Sequence, residues 1–118
     1  LVGNGDDIVE GDISQPDSIS QLLTESDVII HTAALVSNAM QDSDMWRVNV
    51  LATRNLIEAA KEHKVRRFVQ ISSVVAYGNS AEGELDESQP VHADGGSYVL
   101  TKLASEHVVL GAQANDVI

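Results

Sequence analysis

Asp27-Val28-Ile29-Ile30-His31-Thr32-Ala33-Ala34 is a continuous apolar run with a polar lead-in, the pattern of a strand buried on both faces rather than one that alternates. Arg67-Phe68-Val69-Gln70-Ile71-Ser72-Ser73 repeats it further along. Between the two, the spacing predicts a long helix from Asp44 to about His63, with Ser43 or Asp44 as its N-cap. Strand, helix and strand of these lengths point to a parallel sheet.

Outward from this unit, Asp7-Ile8-Val9-Glu10-Gly11-Asp12 is a short strand candidate. Pro16 and Asp17 then head a helix that runs to about Glu25. On the other side, residues 78–97 turn to Gly, Asp, Glu, Ser and Pro. That loop is too long for a simple connector and is a candidate binding loop. A further helix is expected from Tyr98 to about Leu110, and Asp116-Val117-Ile118 reads as the start of one more strand. The fold class expected is α/β, a Rossmann-like doubly wound parallel sheet in three α/β/α layers, with ligand sites at the carboxyl ends of the strands.

Composition narrows the function. Eighteen acidic residues against seven basic ones give a net charge of −11. No basic run exists to follow a phosphate backbone, so neither nucleic acid nor an acidic membrane surface is an expected partner. The apolar runs are too short to cross a bilayer. The lack of cysteine removes disulfides, thiolate metal sites and thiol nucleophiles, and suits a cytoplasmic protein. His63, His92 and His107 lack metal-ligand spacing. Glu82, Glu84, Asp86 and Glu87, spread along the loop, read as a solvated surface rather than a cation site, so no metal is expected.

The unusual residues collect at the predicted strand ends: Asp12 after the first, Thr32, Ala33 and Ala34 after the second, Ser72 and Ser73 after the third. Ala33 and Ala34 would let a ligand approach the backbone, or simply allow tight packing of helix on sheet. Downstream, Tyr98-Val99-Leu100-Thr101-Lys102 places a phenol and an amine four residues apart, on one face of a helix. An ammonium beside a phenol favours phenolate and brings an unperturbed pKa near 10 closer to neutral acid/base work. His31, at a strand end among apolar neighbours, reads as a satisfied core histidine. Ile71-Ser72-Ser73-Val74-Val75 lacks the glycines of a nucleophile elbow, which argues against hydrolysis.

Taken in order, Gly11-Asp12-Ile13, His31-Thr32-Ala33-Ala34, Val48-Asn49-Val50 with Thr53, Ser72-Ser73 before Tyr77-Gly78, and Tyr98 to Lys102 with Glu106 give the chain its likeness. It resembles the extended short-chain dehydrogenase/reductase superfamily, in its NAD-dependent epimerase/dehydratase group. The resemblance implies that Asp12 and Ile13 flank an adenine and that Thr32, Ala33 and Ala34 line the cofactor path. It places Asn49 at a proton-relay position. Ser73, with Ser72 its neighbour and second choice, would be the catalytic hydroxyl, completed by Tyr98 and Lys102, the latter also reaching the nicotinamide ribose. The implied cofactor is NAD, with NADP open. The implied substrate is a small molecule with a secondary hydroxyl or ketone, and the implied assembly a homodimer of the full-length protein. Alternatives are an alcohol dehydrogenase like 3β-hydroxysteroid dehydrogenase or dihydroflavonol reductase, and a non-catalytic dinucleotide-binding sensor.

The family's glycine-rich strand-to-helix turn is not in this sequence. Gly3-Asn4-Gly5 reads as an ordinary turn. Residues 1–118 are therefore expected to be an internal fragment: strands 3 to 5 of a dinucleotide-binding domain, with the helices that follow and the start of strand 6. In the strand order 3-2-1-4-5-6 the absent strands leave a gap. The isolated stretch is expected to bind dinucleotide poorly, to be inactive, and either to fold marginally or to pair its first two strands non-natively.

Overall fold

The computed structural model describes residues 8–23, 25–36, 41–78 and 83–113. Two strands, β1 (Val28–His31) and β2 (Arg67–Gln70), form a parallel pair, with Val28 opposite Arg67 and His31 opposite Gln70. The helices are α1 (Pro16–Leu23), α2 (Asp42–Met45), α3 (Ala52–Glu62) and α4 (Ser97–Gln113). A π-helical turn, Trp46–Leu51, joins α2 to α3 without a break, and a 3₁₀ turn, Val74–Tyr77, follows β2. The α/β class and the parallel sheet are as expected.

The core lies on one side of the sheet. Ile19 and Leu23 from α1, Ile29 from β1, Leu56 and Ala60 from α3, and Val65 form one apolar cluster, with Phe68 of β2 packed against it. The α3 helix ends at Glu62 with His63 as its C-cap, and Lys64 after it takes a left-handed backbone (φ 56°). The Val65 amide then bonds back to the Ala60 carbonyl at 2.9 Å, a glycine-type stop made here by a lysine. Behind it, Arg66 N–H donates to the Asp27 carbonyl (2.9 Å) and sets the two strands in register.

Four expectations need correction. The strands are shorter than the apolar runs, 28–31 and 67–70 rather than 27–34 and 67–73, since only those residues find ladder partners. Burial on both faces fails. Ile29 and His31 are buried, but Val28 and Ile30 are 50% and 65% exposed, because no helix among the described residues crosses that face. Residues 8–12 form no strand. An extended segment needs a neighbouring ladder to satisfy its backbone, and β1 pairs with β2 instead. Finally, the long helix begins at Asp42 rather than Asp44. Its N-cap is Gln41, whose side chain makes no capping bond, and its interior carries a π turn that the apolar spacing did not signal. Residues 3–5, Asp7 and 116–118 lie outside the described residues. Residues 83–96 carry neither helix nor strand, as expected of the loop.

Candidate active site

β1 and β2 are adjacent and parallel, so the segments leaving them, Thr32–Val36 and Ile71–Ser73, emerge side by side at one edge of the core. Thr32 and Ala33 are exposed and Ala34 half-buried, which leaves their backbone open to a ligand. Helix α4 starts after the long loop and brings Tyr98 and Lys102 to the same edge.

The exit of β1 is held by Asn49, a buried amide inside the π turn. Its Oδ1 accepts from the Leu35 amide (2.7 Å), while its Nδ2 donates to the Leu35 carbonyl (3.0 Å) and to Thr101 Oγ1 (3.0 Å). Thr101 in turn donates to the Tyr98 carbonyl (2.9 Å). The Leu35 amide requires an acceptor, which fixes the orientation of the Asn49 amide. Both amide protons of Asn49 are thus spent within the protein, on the loop after β1 and on the first turn of α4. The residue that the resemblance puts at a relay position thus ties two distant segments together.

Beneath this tie, Thr53 Oγ1 donates to the Asn49 carbonyl (2.8 Å) and takes the Nε2 proton of His31 (2.9 Å). A hydroxyl with its only proton engaged can just accept, so His31 carries its hydrogen on Nε2. The imidazole is 4% exposed and meets the Phe68 ring edge-on at 6.0 Å. Burial, then the nearby Lys102 charge, lowers its pKa to about 4. It stays neutral, a core histidine as the sequence suggested.

The exit of β2 is held by charge. Lys102, itself buried, donates from Nζ to the Ile71 carbonyl at 2.6 Å. Burial pushes its amine below the ordinary lysine value, and the Glu106 carboxylate opposes that fall. An ammonium has three donors, so two remain for a phenol or a ribose hydroxyl. Ser72 donates its hydroxyl to Glu106. Among the described residues neither Ser73 nor Tyr98 makes a side-chain hydrogen bond; both hydroxyls are available to a substrate. Ser72, Ser73, Ala76, Tyr77, Val91 and Glu106 surround a cavity of about 290 Å³ at this exit. Gly78, with φ of 81°, closes the 3₁₀ turn, and a Cβ there would lie 2.4 Å from Asp94 Oδ1. The His92 amide bonds to the Ala76 carbonyl (2.9 Å), so the long loop is drawn back over the β2 exit.

Asp12 and Ile13 stand elsewhere in the arrangement. The Asp12 carboxylate accepts from the Ser14 amide (2.8 Å), and hydrogen bonds from Ser14 hold its pKa below the usual carboxylate value. Arg47 donates to Ser14 Oγ (2.7 Å) and braces that turn against the π turn, while Ile13 packs on the core. Sequence reading quoted Thr53 and Thr101 without giving either a role, and missed the brace at Arg47. Their roles depend on partners 22 to 52 residues away in the chain, which no local spacing announces.

This geometry has close counterparts. A dTDP-glucose 4,6-dehydratase of Streptomyces niveus is 34% identical over 105 residues, covering 86% of this chain and 31% of the relative. A decarboxylating sterol-4-alpha-carboxylate 3-dehydrogenase of Candida albicans is 34% identical over 113 residues, covering 91% and 31%. Among solved structures, a short-chain dehydrogenase/reductase superfamily protein from Agrobacterium tumefaciens, with NAD bound, superposes with a TM-score of 0.83 at 32% identity over 92% of this chain and 34% of that one. The chain thus spans about a third of the length of the proteins it matches, and corresponds to part of their Rossmann-like fold. The profile of the NAD dependent epimerase/dehydratase family matches residues 2–118, and the chain belongs to that family of extended short-chain dehydrogenases/reductases.

Proposed function

We propose that the complete protein is an NAD-dependent oxidoreductase of the epimerase/dehydratase type, acting at a carbon that alternates between hydroxyl and carbonyl. The observation that carries this is Lys102: a buried amine, fixed by one bond to the Ile71 carbonyl, on the helix face that bears Tyr98 and against the strand exit that bears Ser73.

The residues present fit the nicotinamide half of the cofactor. Thr32 and Ala33 offer open backbone beside the strand ends, and Lys102 keeps two donors for a ribose. NAD supplies the hydride acceptor and donor. Tyr98 Oη takes the proton of the substrate hydroxyl and returns it when a carbonyl is reduced. The Lys102 ammonium stabilises the phenolate that can take that proton. Ser73 donates to the substrate oxygen and orients it. Asn49, with its protons spent on Leu35 and Thr101, holds the frame.

The substrate class we favour is a nucleotide sugar, since relatives named for dTDP-glucose and UDP-glucuronic acid share this stretch. A sterol-type alcohol is the second reading, supported by the equal identity to the sterol-4-alpha-carboxylate dehydrogenase. Incubation of the complete protein with NAD and either dTDP-glucose or a 3β-hydroxysterol separates them by product. Tyr98→Phe is expected to lower turnover by about 10²–10⁴-fold with NAD affinity by calorimetry unchanged. Unaltered turnover would remove Tyr98 from the chemistry.

A further inference from the structure

Helix α4 meets the exit of β2 through two side chains one turn apart. Lys102 donates to the Ile71 carbonyl, and Glu106 accepts the hydroxyl of Ser72. Residues four apart share a helix face, so an ammonium and a carboxylate grip consecutive residues of the strand exit, immediately before Ser73. We propose that Glu106 is a positioning residue: its carboxylate fixes the Ser72–Ser73 step against α4 and, through its charge, keeps Lys102 an ammonium. This rests on the roles given above to Ser73, Tyr98 and Lys102.

The surroundings of Lys102 single out Glu106. From β1 comes His31, which is neutral. From β2 come a backbone carbonyl and an uncharged serine. On α4 itself stand Tyr98 and Glu106. Glu106 is the carboxylate that opposes the loss of the Lys102 proton, which burial promotes. The other elements packed on α4 bring Asp42 and Asp44 from α2, Arg47 from the π turn, Arg54 and Glu58 from α3 and Tyr77 from the 3₁₀ turn, and of all these charges it is that of Glu106 that acts on the Lys102 amine.

Two substitutions separate the parts of this role. Glu106→Gln keeps an oxygen that can accept from Ser72 but removes the charge; Glu106→Ala removes both. The direct readout is the titration of the Lys102 amine by NMR in the complete protein carrying ¹⁵N-lysine, without nucleotide, the signal being assigned by its loss in Lys102→Arg. Taking away a negative charge makes every neighbouring proton easier to lose, so Glu106→Gln should lower the Lys102 midpoint by about one pH unit, tenfold in proton affinity. The pH profile of turnover on dTDP-glucose should move to lower pH with it. Glu106→Ala should show the same shift and a further loss of about tenfold in kcat, with NAD affinity unchanged. An unmoved Lys102 midpoint in Glu106→Gln overturns the charge role, and an unchanged kcat in Glu106→Ala overturns the positioning role. Full turnover in Tyr98→Phe would instead count against the reaction proposed above, while the Lys102 titration still decides the case of Glu106.

Discussion

The exits of the two strands are fastened to the same helix by opposite means. At β1 the tie is neutral and dry: Asn49 and Thr101, 2% and 0% exposed, hydrogen-bond to each other and to backbone groups. At β2 it is ionic and wetter, an ammonium on a carbonyl and a carboxylate on an exposed serine. A neutral buried network costs no ionisation and ignores salt, but every member must be satisfied. An ionic one adds less stability and can shift the proton affinities around it. The molecule places the rigid tie at the loop after β1, and the adjustable one beside Ser73 and Lys102, the groups to which the proposed reaction gives its proton transfer.

The comparison breaks most visibly at Asn49. Asn49→Ala orphans both backbone groups of Leu35 and takes from the Thr101 oxygen the proton it accepts, at about 1–3 kcal/mol for each group left buried. We expect a loss of about 4 kcal/mol in denaturant unfolding of the complete protein, against about 1 kcal/mol or less for Glu106→Ala. Equal losses would mean that the two ties do not differ in kind.

Acid should find the neutral tie through His31. Its folded pKa, about 4, lies below the ordinary 6.5, so the unfolded chain binds the extra proton first. Stability is complete above pH 6.5 and falls as the pH drops from there towards 4, by about 3 kcal/mol at pH 4. His31→Asn should flatten that slope; the same slope in the variant would assign it to the carboxylates.

A finer test is Thr101→Val, which keeps shape but leaves the Asn49 Nδ2 proton without its second acceptor. The expected cost is about 1–2 kcal/mol, restored by Thr101→Ser. No rescue by serine would make the contribution one of packing rather than of hydrogen bonding.

Much of this was legible in the sequence because it is local. The apolar runs located both strands, the crossover length gave their parallel sense, and the spacing of Tyr98, Lys102 and Glu106 put them on one helix face. What escaped depended on partners. Residues 8–12 have strand composition but no neighbouring ladder. Val28 and Ile30 have core character but no helix over them. For Asn49 the sequence offered only the relay position that the resemblance implies, and the arrival of Leu35 and Thr101 from distant segments reveals what its side chain binds.

The π turn at Trp46–Leu51 solves a problem of alignment. Met45, Asn49, Thr53 and Ile57 are spaced by four and all buried, yet in an unbroken α-helix each such step rotates about 40° around the axis. Three steps would carry the ends of that column about 120° apart, and Met45 or Ile57 would swing into water. A wider turn rotates less per residue and draws the column straight, so one helix can grip the sheet core at one end and the site at the other. Removing a single residue from this turn should therefore let it close as ordinary α-helix with its ends still in agreement, since eleven steps of about 100° leave them only about 20° apart.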